Sequence, residues 1–233
     1  NIATNLVRKG KNVLVLSLEM SEIMYACRLA SDITKIPIAD LKSQTPTLKH
    51  SMDSMDGMGK LLIKEFPPNT ITAQQIASYV KTVQLKGIKI DAIVLDYINL
   101  LRGSLNSNLY ERIKCATEEV RALSYKFNCP IISATQLNRT GYDTESPTLD
   151  TIGESIGLAA TADVIVGITQ SDTDKELNII NLHMMKTRFG ANFGKNEMRI
   201  DYGTLTVSED ETLNNDDGDF GEMTDTLDQL SFG

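Results

Sequence analysis

Within the run IKIDAIVLDYINLL (residues 88–101) the Ala92–Leu95 core is apolar, bounded by charge, and ends at Asp96. That is the pattern of a central parallel strand. Open α/β sheets place their ligands at the carboxyl ends of such strands. In nucleotide hydrolases an acid there holds the magnesium of a bound nucleotide. Three more predicted strands end in polar groups: Glu19 follows LVLSL, Gln136 follows PIISAT, and Lys186 and Arg188 follow LHMM at alternate positions. In a parallel sheet Glu19, Asp96 and Gln136 would line one edge, a row suited to metal-assisted attack of water on a phosphate. Asp96 can hold magnesium directly or through water, and Glu19 can orient or deprotonate the water. Gln136 can sense a γ-phosphate without adding charge. Lys186 and Arg188 can neutralise the transferring phosphoryl group.

Each residue also has a plain structural reading. An acid after a strand is often a helix cap or turn group, and Ser21 would make Glu19 a first-turn acid. Gln136 alone is a surface amide, and a Lys-x-Arg pair on a strand is ordinarily a solvated face. No G-x-x-x-x-G-K-[ST] loop occurs in the 233 residues, so the expected phosphate cradle is missing. The reading is of a chain that starts just after the point where such a loop would end.

These groups need a scaffold, and the periodicities supply one. Residues 1–10 read as the latter part of a helix stopped by Gly10. Strands are expected at Asn12–Leu18, Leu61–Glu65, Ile90–Leu95, Pro130–Ala134 and Val164–Gln170, and helices at Ser21–Asp32, Thr72–Lys86 and Leu109–Phe127. Residues 36–60 suggest helices broken by turns, and Asp150–Thr161 a short helix. The remaining segments, Glu176–Lys186, Met198–Ile200 and Thr204–Val207, read as antiparallel strands, because their connections are too short for crossover helices. The fold class is therefore α/β: a mostly parallel central sheet flanked by helices, with antiparallel strands near the C-terminus.

Composition bounds the rest. An apolar share of 41% with no Trp calls for an aliphatic core. The cysteines Cys27, Cys115 and Cys129 are odd in number and far apart, which predicts buried free thiols. No signal peptide or membrane-length apolar run is evident, so a cytoplasmic location and no membrane partner are expected. Nine of the 31 acids lie from Glu209 onward, and no Lys or Arg follows Arg199. Without those nine, 22 acids face 23 bases, so the net charge of -8 belongs to the tail. The expected division is one α/β domain over 1–208 and an acidic, disordered tail over 209–233.

The blocks GKNVLVLSLEMSEIMYACRLAS, IDAIVLDYINLL, CPIISATQLNR, ESIGLAATADVIV and MMKTRFGANFG, in this order, resemble the ATPase domain of hexameric replicative DNA helicases of the DnaB type. The resemblance is particularly to the phage T4-like branch and runs from residue 1 to roughly 207, which makes the domain over 1–208 a partial RecA-like ATPase domain. The resemblance implies a RecA-like core, ATP and Mg2+ bound between neighbours of a homo-hexameric ring, and movement on single-stranded DNA. Primase and a helicase loader are the implied further partners; a phage origin would place the protein in the host cytoplasm. It makes Glu19 the catalytic glutamate, Asp96 the magnesium-associated aspartate, and Gln136 the link between nucleotide and DNA-binding loops. Lys186 and Arg188 become the basic pair that reaches the neighbour's ATP, with Arg188 as arginine finger. The segment Gly153, Glu154, Ser155 and Ile156 resembles the DNA-facing loop. Gly153 stands where the better known relatives carry Arg, so backbone N–H groups could hold the DNA phosphates, with Lys or Arg elsewhere then mattering more.

The resemblance also implies a phosphate-binding loop, an N-terminal domain and a linker helix ahead of Asn1. Without the loop, the isolated chain is expected to bind ATP poorly and hydrolyse it very slowly. Two alternatives stand beside the helicase: a RecA-like recombination ATPase or loader, and a non-enzymatic interaction module derived from a helicase.

Overall fold

The computed structural model describes residues 1–53, 56–103, 109–136, 147–149, 156–191 and 194–209. Helix α1 (Ile2–Arg8) leads into strand β1 (Val13–Ser17), followed by α2 (Glu22–Thr34), a 3-10 turn at Ile38–Asp40 and α3 (Thr45–Asp53). Then come β2 (Leu61–Glu65), α4 (Ala73–Leu85), β3 (Ala92–Asp96), α5 (Leu109–Phe127) and β4 (Ile131–Ser133). The four strands form a parallel sheet in the order β2-β1-β3-β4. Parallel neighbours need long crossovers, and α2 with α3, α4 and α5 supply them.

Both faces of this sheet are covered, which explains why its central strands are apolar without alternation. Side chains of a strand point alternately to opposite faces. Leu14 and Leu16, with Ile93 and Leu95, pack against Ile76 and Val80 of α4 and Ile113, Val120 and Leu123 of α5. Val13, Val15 and Ala92 face the other way, onto Ala3 and Val7 of α1 and Leu29 of α2. All four β1 side chains named here are fully buried.

The described residues from Ile156 onward form two short helices and a second sheet. Helix α6 (Ile156–Thr161) precedes β5 (Val164–Thr169), α7 (Asp172–Leu177), β6 (Ile179–Thr187), β7 (Lys195–Asp201) and β8 (Thr206–Glu209). These strands pair antiparallel in the order β5-β6-β7-β8. The antiparallel C-terminal region expected from the short connections is thus present, with one correction. Asp172–Leu177, whose last two residues fall in an expected strand, is a helix. Ser171 caps it, accepting from Asp174 N while the Asp174 carboxylate accepts from Ser171 N. This reciprocal pair satisfies two otherwise orphaned donors and outweighs the β-propensity that follows.

The cysteines are free as expected, yet only Cys129 is buried; Cys27 is half-buried and Cys115 exposed. Burial pushes the Cys129 thiol above its usual range. Among the described residues no helix is long and apolar enough to cross a membrane. The acidic tail beyond Glu209 lies outside the described residues.

Asp32 of α2 ties helix α1 to strand β8 of the second sheet. It is 3% exposed, and its carboxylate accepts from the Thr4 hydroxyl of α1, from Lys35 Nζ at 3.0 Å and from Thr206 Oγ1 of β8 at 3.3 Å. Arg8 lies 3.6 Å away. Burial alone would discourage ionisation, but the Thr4 and Lys35 hydrogen bonds outweigh it and hold the carboxyl below its usual range. A carboxyl that binds its proton more weakly when folded stabilises the fold above its unfolded pKa of about 4 and loses that contribution as pH falls through the lower folded value. Asp32→Ala is expected to cost about 2–3 kcal/mol at neutral pH, mostly by leaving buried donors unpaired. Urea unfolding should show the gap from wild type closing below about pH 4; a gap independent of pH would contradict this role.

Candidate nucleotide site

Ser17 and Asp96 are register partners at the carboxyl ends of adjacent parallel strands. Leu18 N donates to Asp96 O at 2.6 Å, so the two chains leave the sheet together. The buried Ser17 hydroxyl donates to Met20 O at 2.7 Å and accepts from Met20 N at 3.0 Å. This clamp folds Leu18-Glu19-Met20 into a tight bend and leaves Glu19 exposed beyond the strand end.

Glu19 is therefore not a first-turn acid of α2. Ser21 caps that helix by accepting from Met24 N, and Glu22 is the acid of its first turn. Glu22 accepts from Glu65 N at 3.0 Å and from Lys64 Nζ at 2.8 Å, which fixes the start of α2 against the end of β2. The plain reading of Asp96 gives way similarly. The 3-10 turn at Ile98–Leu100 starts at Tyr97 without a side-chain cap. Ile98 N is satisfied instead by Ser133 Oγ at 3.0 Å, which also donates to Leu95 O at 2.7 Å. Asp96 is half-buried and joined to Tyr97 by a cis peptide bond.

The electrostatics tie these groups into one cluster. Burial and then the Glu19 charge push the Asp96 carboxyl above its usual range, and Arg28 pulls it back down. Tyr25 is raised to about 12 by burial and then by Asp96, again opposed by Arg28. Tyr25, Arg28, Leu29 and Asp32 lie on one face of α2 at three- and four-residue spacing. With Met20 and Asp96 they line a cavity of about 190 Å³. A space of that size beside a carboxylate has room for several ordered waters.

Gln136 follows β4, the neighbour of β3, at the same end of the sheet, and its side chain is exposed. The structure thus brings Glu19, Asp96 and Gln136 to one rim of three adjacent strands. Lys186 and Arg188 lie elsewhere, at the end of β6. Lys186 Nζ donates to Ala159 O at 2.6 Å and Ala160 O at 3.1 Å. Arg188 donates to Asp163 Oδ1 and to Ala160 O, both at 2.8 Å. Burial and then Arg188 push the Lys186 ammonium below its usual range. Of the expected DNA-facing segment, Gly153, Glu154 and Ser155 lie outside the described residues, and Ile156 opens α6.

The family model for the DnaB-like helicase C-terminal domain matches residues 1–204. The chain belongs to that family. Among relatives of the DnaB-like family, the DnaB-like replicative helicase of Enterobacteria phage T4 is 23% identical over 201 residues, covering 82% of this chain and 42% of its own length. The chain therefore spans less than half of this curated relative. Similar solved structures include the following two. One, an ATPase domain, superposes with a TM-score of 0.77 at 21% identity, over 90% of this chain and 78% of that one. The other, a DnaB-like replicative helicase studied for its interactions with primase, gives 0.76 at 19% identity, over 90% and 53% of the two chains. At these identities the two structures carry the fold alone, which agrees with the α/β class read from the periodicities and the RecA-like core that the resemblance implies.

The sequence does not single out Tyr25 or Asp163, and it shows Arg28 only as part of a motif. The spacing of Tyr25 and Arg28 behind a capped helix start is a readable signal. That of Asp163 is not, because its neighbours come from β6 and α5.

Proposed function

We propose that this chain is the motor part of an ATP-dependent replicative DNA helicase, hydrolysing ATP at subunit interfaces to drive movement along single-stranded DNA. The observation that carries this reading is the pairing of an exposed Glu19 with a half-buried Asp96 at the ends of adjacent parallel strands. One carboxylate near the sheet and one beyond it can divide the work of metal association and water activation.

The donor set fits magnesium. That ion keeps several waters and takes one or two carboxylates together with substrate phosphates, rather than a protein cage. The cavity of about 190 Å³ that opens beside Asp96 leaves room for the waters such an ion keeps. Asp96 would hold the ion, which when bound neutralises phosphate charge. Glu19 orients water and accepts its proton. Gln136, at the same rim, exchanges hydrogen bonds with the terminal phosphate. Lys186 and Arg188 of an adjoining copy complete the charge balance, so turnover requires a ring, in this reading a homo-hexamer. Single-stranded DNA, held in part by Gly153–Ile156, is the track, and primase and a loader are the further partners.

The phosphate grip belongs to a G-x-x-x-x-G-K-[ST] segment that these 233 residues do not contain, whether on the same polypeptide or another. Calorimetric titration of Mg·ATP tests the reading. The protein supplied with that segment is expected to bind, and Asp96→Asn to lower turnover about 10²-fold or more while flattening the dependence on Mg2+. The 233 residues alone should give no saturation. Unaltered Mg2+ dependence in Asp96→Asn would overturn the assignment.

A further inference from the structure

Asp163 and Arg188 are far apart in the chain, yet the β5–β6 register makes them neighbours. Val164 pairs with Thr187, so the residue before β5 meets the residue after β6. Arg188 N donates to Asp163 O at 3.0 Å, continuing the ladder by one bond. Above this backbone contact the side chains form a compact charged knot. Asp163 Oδ1 accepts from Arg188 Nη1 and from Arg121 Nη1 of α5, each at 2.8 Å. Arg121 also donates to Thr161 O, and Arg188 Nη2 to Ala160 O.

Two properties of the knot matter. First, Arg188 is held at two points, a carboxylate and a carbonyl, which sets the plane of its guanidinium as well as its position. Second, three cations (Arg121, Lys186 and Arg188) surround one carboxylate. The carbonyl end of α6 offsets part of the excess, and the remainder attracts an anion. Arg188 is the more open of the two arginines paired with Asp163, at 40% exposure against 26% for Arg121.

We propose that Asp163 is a positioning residue for Arg188: it fixes the guanidinium at the sheet edge in one orientation, ready to meet the phosphate of a nucleotide on an adjoining copy. This rests on the proposed role of Arg188 in phosphoryl transfer. Arg121 braces the carboxylate from behind. It also packs over the ring of Tyr125, 5.6 Å from its centroid, and donates to that hydroxyl at 3.1 Å. Without the Asp163 charge, Arg188 and Arg121 repel, and the flexible Arg188 side chain samples many rotamers before each encounter.

The test is steady-state ATP hydrolysis by the complete, assembled protein with single-stranded DNA, comparing Asp163→Asn, Asp163→Glu, Arg188→Ala and the double variant Asp163→Asn/Arg188→Ala. Misplacement by about an ångström costs up to about 10²-fold in rate, so Asp163→Asn is expected to lower kcat about 10- to 100-fold with KM for ATP within about twofold. Asp163→Glu should recover part of that loss. In the Arg188→Ala background Asp163→Asn should lower kcat no further, because the group it positions is gone. Loss of kcat by the same factor in both backgrounds would assign Asp163 a merely structural role and overturn the proposal. So would an unchanged kcat in Asp163→Asn while Arg188→Ala is impaired, with the role of Arg188 left standing. Full turnover in Arg188→Ala would overturn both. Should Asp163→Asn fail to fold, Asp163→Glu alone and in the Arg188→Ala background carries the same comparison.

Discussion

Glu19→Gln is expected to reduce ATP turnover by the assembled protein about 10²- to 10⁴-fold, the usual contribution of a positioned general base. ATP affinity should stay near that of wild type. The substitution keeps the shape of the side chain and removes only its capacity to take a proton. The local structure has little stake in it: Glu19 is exposed, precedes the Ser21 cap, and leaves the Ser17–Met20 clamp that shapes its bend untouched. The unfolding midpoint should therefore not move. Removing the Glu19 charge also relieves Asp96, whose carboxyl burial and then Glu19 push upward. Asp96 in the variant should be at least as well ionised, so Mg2+-dependent binding of a nucleotide analogue should be retained. Isotopic phosphate-release kinetics beside analogue binding separate the two effects. Equal losses of binding and turnover would mean that Glu19 holds the ligand and does not activate water.

Arg188→Ala carries the other large effect. A guanidinium that stabilises transition-state charge across an interface is worth about 10³- to 10⁵-fold in kcat. Its removal should leave much of nucleotide binding intact, because the grip lies on the other subunit. Arg188 is held by Asp163 and Ala160 on its own chain, away from the Glu19–Asp96 rim. The variant should show this loss in rate with an unfolding midpoint lowered only slightly, since an exposed ion pair contributes little to stability, about 1 kcal/mol or less. A large drop in midpoint with a modest loss of rate would reverse the assignment and make the Asp163–Arg188 pair structural.

The local physics explains which parts of this chain are readable in its residues. Leu61–Glu65 and Leu109–Phe127 have the bounds expected of them, because their patterns and neighbouring breakers agree. Thr72 stands at the expected start of its helix, and it closes a capping box with Gln75. Asp172–Leu177 escapes the sequence reading although Ser171 and Asp174 carry the S-x-x-D signature. A helix of six residues shows too little periodicity to compete with the Ile179-Ile180 run behind it. At the site, strand ends can be read one at a time, and Glu19, Asp96 and Gln136 do lie at one sheet edge. The state of each side chain is not legible in this way. That Ile98 N needs no cap from Asp96 depends on Ser133 reaching it from the next strand. The hold on Arg188 depends on a β5–β6 register that slips between Ile165 and Val166, a bulge no local pattern announces.

The central claim is that one copy supplies Glu19 and Asp96 while its neighbour supplies Arg188, and mixing two inactive variants tests it most directly. Glu19→Gln and Arg188→Ala subunits, co-assembled in equal amounts, create interfaces at which an intact Glu19 faces an intact Arg188. Random assembly makes these roughly a quarter of all interfaces, so ATP turnover should rise toward that share of the wild-type rate. A mixture no more active than the two variants measured apart would contradict a shared site and place both groups in the same subunit's chemistry.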